Sequence, residues 1–302
     1  MNSFQNKSNM SNYESITKSP FYEVVCILDE LGNLDFIKRA DLIHKHPAML
    51  SHEEFFFKIK NLLLGITSAL SYMQLCVLHI QRKHNKQYFL THGYIDYSVY
   101  RYHYYVFCHG IVTLHDLFFK LISEICALDI SCKRMIQWSD LKKMLMAKHE
   151  EKIIKLLEDF YSTIQDHEKN RNMASHEGFL SSPLLDNYYL THIFTSAFNK
   201  NNNEITYPQY TEGSKENKFL IGKTKKRLVD ELNKLIDASI NYTLSLFDML
   251  LPKLIDQVDV EFINSHKDIL IGINNENANK YFLPRVGVVV GEHVVDGVQR
   301  VT

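Results

Sequence analysis

Apolar residues recur at helical spacing through most of the chain, and four of the stretches that show it are long. The first begins within SHEEFFFKIK, continues through NLLLGITSALSYMQLCVLHIQ and ends at RKHNK, which predicts a helix over 52–84. Ser51 and Glu54, three apart, form a capping-box pattern at its start. The second, YSVYRYHYYVFCHGIVTLHDLFFKLISEICAL, predicts a helix over 95–128 with a wide aromatic face. The third, over 139–170, is amphipathic, with Leu156, Leu157, Phe160 and Ile164 on one stripe and charges opposite. The fourth runs over 218–255 on Leu228, Leu232, Leu235, Ile236, Leu246 and Leu250 and ends near Pro252. Four long helices predict an all-α bundle.

The remaining segments divide the chain further. Residues 1–19 are polar and predict a disordered tail, with no apolar run of the kind a secretory signal carries. Residues 20–50 predict an N-terminal cap of two short helices, separated by Gly32 and Asn33 and closed by Pro47. The bundle then occupies 51–256, with a short helix in SSPLLDNYYLTHIFTSAF and a mobile loop over 198–217, where the apolar pattern lapses. In the C-terminal extension, 257–302, VGVVVGEHVVDGVQRV alternates β-branched residues with glycine. It reads as a small hairpin, an edge strand shared between protomers, or a loosely ordered end.

Composition agrees with helices. With 11 Gly and 6 Pro in 302 residues the chain has too few turn residues for a many-stranded sandwich or barrel. Hydrophobic residues at 45% and charged residues at 23% are the proportions of a soluble globular protein, and a net charge of −1 offers no global field for nucleic acid. Any phosphate-binding surface must be local. The five cysteines, Cys26, Cys76, Cys108, Cys126 and Cys132, show no CxxC pair and predict buried thiols in a reducing compartment. The uncharged run over 61–81 is long enough to cross a bilayer, but its Asn61, Thr67, Ser68, Ser71, Gln74 and His79 favour a core helix. A cytoplasmic protein without a membrane partner is expected.

Several apparent motifs fail on their own chemistry. Gly222, Lys223 and Thr224 spell the end of a P-loop, but its upstream glycine would fall on Asn217. No GxSxG occurs, and neither HEEFF nor HEEKI supplies the second histidine of HExxH. His103, His109 and His115 are six apart, so each is turned about 240° from the last and they cannot line one metal face. No metal or cofactor is expected.

RNMASHEG, at the end of the third long helix, survives this filter. R-x4-H alone is expected roughly 0.4 times by chance in this composition, and Arg39 with His44 supplies a second match inside an amphipathic helix, where packing or surface roles suffice. Requiring Asn after Arg lowers the expectation to about 0.03. Arg171 offers a fork of donors to phosphate oxygens and a permanent charge to oppose a pentacoordinate transition state. His176 can carry protons near neutral pH, and Asn172, four residues before it, can orient the ring. In RNA the neighbouring 2′-hydroxyl is the nucleophile, so this set needs no metal. Arg171 lies about 140° from His176 on a regular helix and must reach back or sit at a helix break, which Gly178 and Pro183 could provide. The competing interpretation is an Arg and a His that complement the dipole of a helix C-terminus.

R-N-x-x-x-H after an amphipathic helix of a four-helix bundle resembles the HEPN superfamily (higher eukaryotes and prokaryotes nucleotide-binding). Arg171, Asn172 and His176 match its R-polar-x3-H motif, and the organisational likeness covers residues 50–255. The resemblance implies a metal-independent endoribonuclease of a toxin, antiviral or RNA-processing system. It also implies a homodimer whose two motifs meet, with an antitoxin or other regulatory protein as partner. Other HEPN proteins are catalytically silent scaffolds that bind nucleotide, RNA or protein. Gly178 stands where nucleotidyltransferase-linked HEPN toxins carry Tyr, which argues against that subgroup.

Two further features bear on an RNA partner. KENKFLIGKTKKR sets Lys223, Lys225, Lys226 and Arg227, with Lys215 and Lys218, at the entry of the last long helix, where they could track phosphates or form a solvated face. Asp116, the lone acid in an apolar stretch, could support Arg171 or be a satisfied core or interface carboxylate.

Overall fold

The computed structural model describes residues 14–43, 48–82, 96–130, 135–177, 185–186, 215–273 and 275–288. The protein is an all-α helical bundle, with no strand among the described residues. Among the described residues, five helices of more than twenty residues carry it: α1 (Pro20–Ile43), α2 (Ser51–Gln81), α3 (Asp96–Ile125), α5 (Glu151–Glu177) and α6 (Lys215–Gln257). A shorter α4 (Trp138–Ala147) precedes α5. Three short helices follow α6, namely α7 (Val260–Ser265), α8 (Lys267–Ile273) and α9 (Glu276–Tyr281), then a 3-10 turn over Leu283–Val286. The valine-rich run from 289 onward and residues 187–214 lie outside the described residues, and with them the predicted hairpin and almost all of the predicted mobile loop.

The N-terminus departs from the sequence reading in two ways. The predicted tail reached into the fold: residues 14–17 are helical and Ile16 is fully buried. Ser19 then caps α1, its hydroxyl accepting from the Tyr22 N–H at 3.3 Å, with Pro20 in the first helical position where its missing N–H costs nothing. The two predicted short helices are one, because Gly32 does not break α1. A Cβ there would sit 3.5 Å from the Phe56 ring, so Gly32 marks an ordinary packing contact with α2.

Glu53, not Glu54, closes the start of α2. It is 3% exposed, accepts the Leu50 N–H at 2.7 Å and pairs with Arg39. The reciprocal half of a capping box therefore falls one residue earlier than the sequence pattern placed it. Arg39 also donates to the Ala48 carbonyl at 3.1 Å, so it works in packing, as its helix position predicted.

The predicted third helix is broken into α4 and α5 without glycine or proline. Leu145 and Met146 carbonyls accept from the Glu150 and His149 N–H groups at 3.0 and 3.1 Å, with His149 left-handed at φ 57. That is a Schellman ending with histidine where glycine usually sits. Ala127, φ 47, ends α3 the same way. In α6 the reverse holds, for Pro252 lies inside the helix and does not end it. Leu254 is fully buried and the Ile255 carbonyl accepts from Arg285, so tertiary contacts hold the last turn.

The chain forms two compact units, and α2, α3 and α6 contribute to both. The first comprises 1–14, 65–119 and 135–243, with a core of Leu70, Met73, Phe107, Ile111, Phe118, Ile153, Phe160, Leu232 and Ile240. Here Gly110 is a close approach: a Cβ would lie 2.8 Å from Met73 Cγ. The second comprises 15–64, 120–134 and 244–302, joining the predicted N-terminal cap to the C-terminal extension. Phe21 stacks on Phe247 at 4.6 Å, Asn277 donates to Glu23 at 2.6 Å, and buried His266 meets Asp35 at 3.0 Å.

By length and composition, Ser51–Gln81 and Val99–Ile125 could each cross a membrane, but 50% and 61% of their most apolar windows are buried within the protein. Cys26, Cys76, Cys108 and Cys126 are free thiols, three of them buried.

Candidate functional site

RNMASHEG is helical through Glu177, as the last turns of α5. The break that could have brought Arg171 and His176 to one face therefore does not occur between them. In register, Asn172 and His176 share one line along α5, while His167, Arg171 and Ser175 share another, at steps of four.

The second line meets α3, which runs antiparallel to α5 within the first unit. Tyr104 faces His167 and Asn170, Tyr105 faces Ser175, and farther along His115 faces Phe160 and Tyr161. Asn170 donates to the Tyr104 hydroxyl at 3.2 Å, and that hydroxyl lies 3.2 Å from His167 Nδ1. With its one proton directed to Nδ1, Tyr104 closes a chain that leaves His167 neutral, a protonation assigned from the hydrogen-bond pattern. Burial lowers the His167 pKa, although Asp166 and Glu231 oppose the shift. Cys108, 3.9 Å from the same nitrogen, is pushed up to about 12 by burial and is no nucleophile. This buried network fixes the register of α5 against α3.

One turn outward lies the accessible part of the site. Tyr105 Oη is 3.5 Å from Ser175 Oγ, and the Tyr105 ring meets the half-buried His109 edge-on with centroids 4.4 Å apart. Desolvation lowers the His109 pKa below its ordinary value, and the nearby Arg171 guanidinium lowers it further. Arg171 is itself half-buried, and its Nε is buried with no hydrogen-bond partner among the described residues. Asn172 is exposed, and the His176 side chain lies outside the described set.

The other predicted site residues scatter. Asp116 is exposed, and its neighbour His115 packs at Phe160, eleven residues or about 16 Å of helix before Arg171. The structure does not bring Asp116 to Arg171, and it is not a core carboxylate either. Of the basic cluster, Lys225 is engaged: Nζ donates to the Arg82 carbonyl at 3.2 Å and to Tyr100 Oη at 3.0 Å. Arg227 pairs with Glu231 at 3.2 Å, one turn on. Lys223 and Lys226 are exposed, and Gly222, Lys223 and Thr224 are helical, which rules out a phosphate-cradling loop there. Because Lys225 reaches Tyr100, one turn before Tyr104, the basic turn of α6 and the end of α5 lie at the same end of the first unit.

Sequence reasoning missed Tyr104, Tyr105 and His167, and weighed His109 only as a metal ligand. The tyrosines belonged to the predicted aromatic face of the second helix, and only the antiparallel register pairs these residues with the motif. No group of three or more metal-binding side chains occurs among the described residues. Comparison with family models, with curated proteins and with solved structures finds no match to this chain.

Proposed function

We infer that this chain is a metal-independent endoribonuclease of the HEPN type, cleaving RNA by attack of a 2′-hydroxyl on the adjacent phosphate. The observation that carries the reading is the placement of Arg171, half-buried with an Nε that has no hydrogen-bond partner among the described residues, in the last turns of an amphipathic helix and within electrostatic reach of the His109 imidazole. A guanidinium so placed suits a phosphodiester oxygen and the charge that builds on it. His176 serves as acid or base and Asn172 as its orienter; Lys223 and Lys226, at the same end of the unit, extend the positive surface toward flanking phosphates. The reading places the protein in the cytoplasm as a homodimer, restrained by an antitoxin or other regulatory protein, in a defence, toxin or RNA-processing system.

A second reading is a catalytically silent HEPN-type scaffold that binds RNA, nucleotide or protein. It is favoured by the unbroken helix, which keeps Arg171 and His176 about 140° apart in register. Incubation of the purified protein with mixed RNA, with and without EDTA, separates the two. Cyclic 2′,3′-phosphate ends formed equally in both support the nuclease, and intact RNA leaves the scaffold.

A further inference from the structure

The stripe of α5 that meets α3 carries Arg171 but, in register, not His176. An RNA phosphate held by Arg171 therefore needs an imidazole on Arg171's own side. The other described histidines of α2, α3 and α5 in this unit are already committed. His167 is held by Tyr104, His115 is enclosed by Phe119, Phe160 and Tyr161, and His79 and His103 stack on each other at 4.7 Å and 4°. His109 differs on each count. It is part-exposed, its ring is set by edge contact with Tyr105, which is tied in turn to Ser175 one turn after Arg171 on the same stripe of α5, and it lies within electrostatic reach of the Arg171 guanidinium.

We propose that His109 is a second catalytic imidazole, taking the 2′-hydroxyl proton while Arg171 holds the phosphate and the His176 brought by the second motif of the homodimer protonates the departing 5′-oxygen. The inference rests on the ribonuclease reading and deepens it. The O2′–P bond forms as the P–O5′ bond breaks, the 2′ proton passes to His109, and the proton of His176 passes to O5′. The products are a 2′,3′-cyclic phosphate and a 5′-hydroxyl, and solvent returns both imidazoles to their starting states. Partial burial and the Arg171 charge keep His109 unprotonated near neutral pH, the state a base requires.

The test compares single-stranded RNA with uridine 3′-(4-nitrophenyl phosphate), whose leaving group departs without a proton. His109→Gln in the full-length protein is expected to lose on the order of 10²- to 10⁴-fold in turnover on both substrates, with its thermal melt retained. Free imidazole should restore part of the activity to His109→Ala. His176→Ala should be crippled on RNA but within about tenfold of the unmodified protein on the aryl ester. If His109→Gln cleaves RNA normally while His176→Ala is dead, the ribonuclease reading stands and this inference falls. Rescue of His109→Gln, and not of His176→Ala, by the aryl ester would reverse the assigned roles and overturn it. Equal failure of His176→Ala on both substrates would remove the division of labour. An unmodified protein inert toward both substrates would end both readings together.

Discussion

Lys225 lies over the ring of Tyr100, its Nζ 4.9 Å from the ring centroid and 3.0 Å from the phenolic oxygen. The same ammonium donates to the carbonyl of Arg82, just beyond α2, so it ties together the ends of three helices. A lysine held this way serves the fold. The basic run of α6 thus contains residues of two kinds that the sequence does not distinguish.

Lys223→Ala with Lys226→Ala should weaken RNA binding and reduce the slope of log affinity against log salt by about 1.4, at roughly 0.7 per contact to a single strand. Lys225→Ala should leave that slope unchanged and cost about 1 kcal/mol of stability. Fluorescence titrations at several salt concentrations, with denaturant melts, check both. An unchanged slope in the double variant would remove the cluster from the binding surface.

The two R-x4-H matches should separate cleanly. His176→Ala is expected to abolish RNA cleavage with its melting temperature preserved, because the residue lies at the end of α5 beyond the core stripe. Arg39→Ala should instead cost about 2 kcal/mol by leaving the buried Glu53 carboxylate without its cation, and the folded fraction should cleave normally. His44→Ala should leave cleavage untouched. A large stability loss in His176→Ala with activity retained per folded molecule would return the motif to a helix-end role.

Backbone geometry predicts opposite signs for glycine exchanges at different sites. Gly32→Ala should stabilise by about 0.5–1 kcal/mol, since its Cβ meets Phe56 at an ordinary 3.5 Å within a helix. Ala127→Gly and His149→Gly should each stabilise by about 0.5 kcal/mol, relieving the left-handed φ of 47 and 57 at the Schellman positions. Gly110→Ala should destabilise, because its Cβ would press within 2.8 Å of Met73. Urea unfolding of the four variants reads the signs directly; a loss at Gly32 or a gain at Gly110 would contradict the packing described.

Acid should weaken the fold through His115. Burial lowers its pKa to about 4 among the rings of Phe119, Phe160 and Tyr161. Between about pH 6.5 and pH 4 the unfolded chain binds a proton there that the folded chain refuses, so stability rises with pH across that window. The contribution is complete above it and lost below, with a ceiling of about 3 kcal/mol. His115→Phe should flatten this part of the stability–pH curve relative to the unmodified protein. Parallel curves for the two proteins would show that His115 titrates normally.

Sequence alone determined the helices wherever burial is one-sided and continuous. Leu228, Leu232, Leu235, Ile236, Leu246 and Leu250 repeat at 3.6-residue spacing because one face of α6 is buried, and all six are buried in the structure. The all-α class and the rough spans of α2, α3 and α6 follow from that local repeat, whereas the third helix, predicted to end at 170, continues through RNMASHEG to Glu177. Boundaries depended on interactions the repeat does not encode. Gly32 is carried through by the packing of α1 on α2, Pro252 by Arg285 and buried Leu254, and α5 is separated from α4 by hydrogen bonds around a left-handed histidine. The site divides along the same line. Arg171 was legible because its motif lies in one stretch of chain. His109, Tyr105 and Tyr104 were not, since they lie more than sixty residues before Arg171 and face it only through the antiparallel register of α3 on α5. The same register sets Asp116 next to the His115 that packs at Phe160, about 16 Å of helix before Arg171, and the approach of α6 to the ends of α2 and α3 turns Lys225 from a phosphate contact into a structural one. Long-range packing sets which side chains meet, and a periodic pattern records only which face of each helix avoids water.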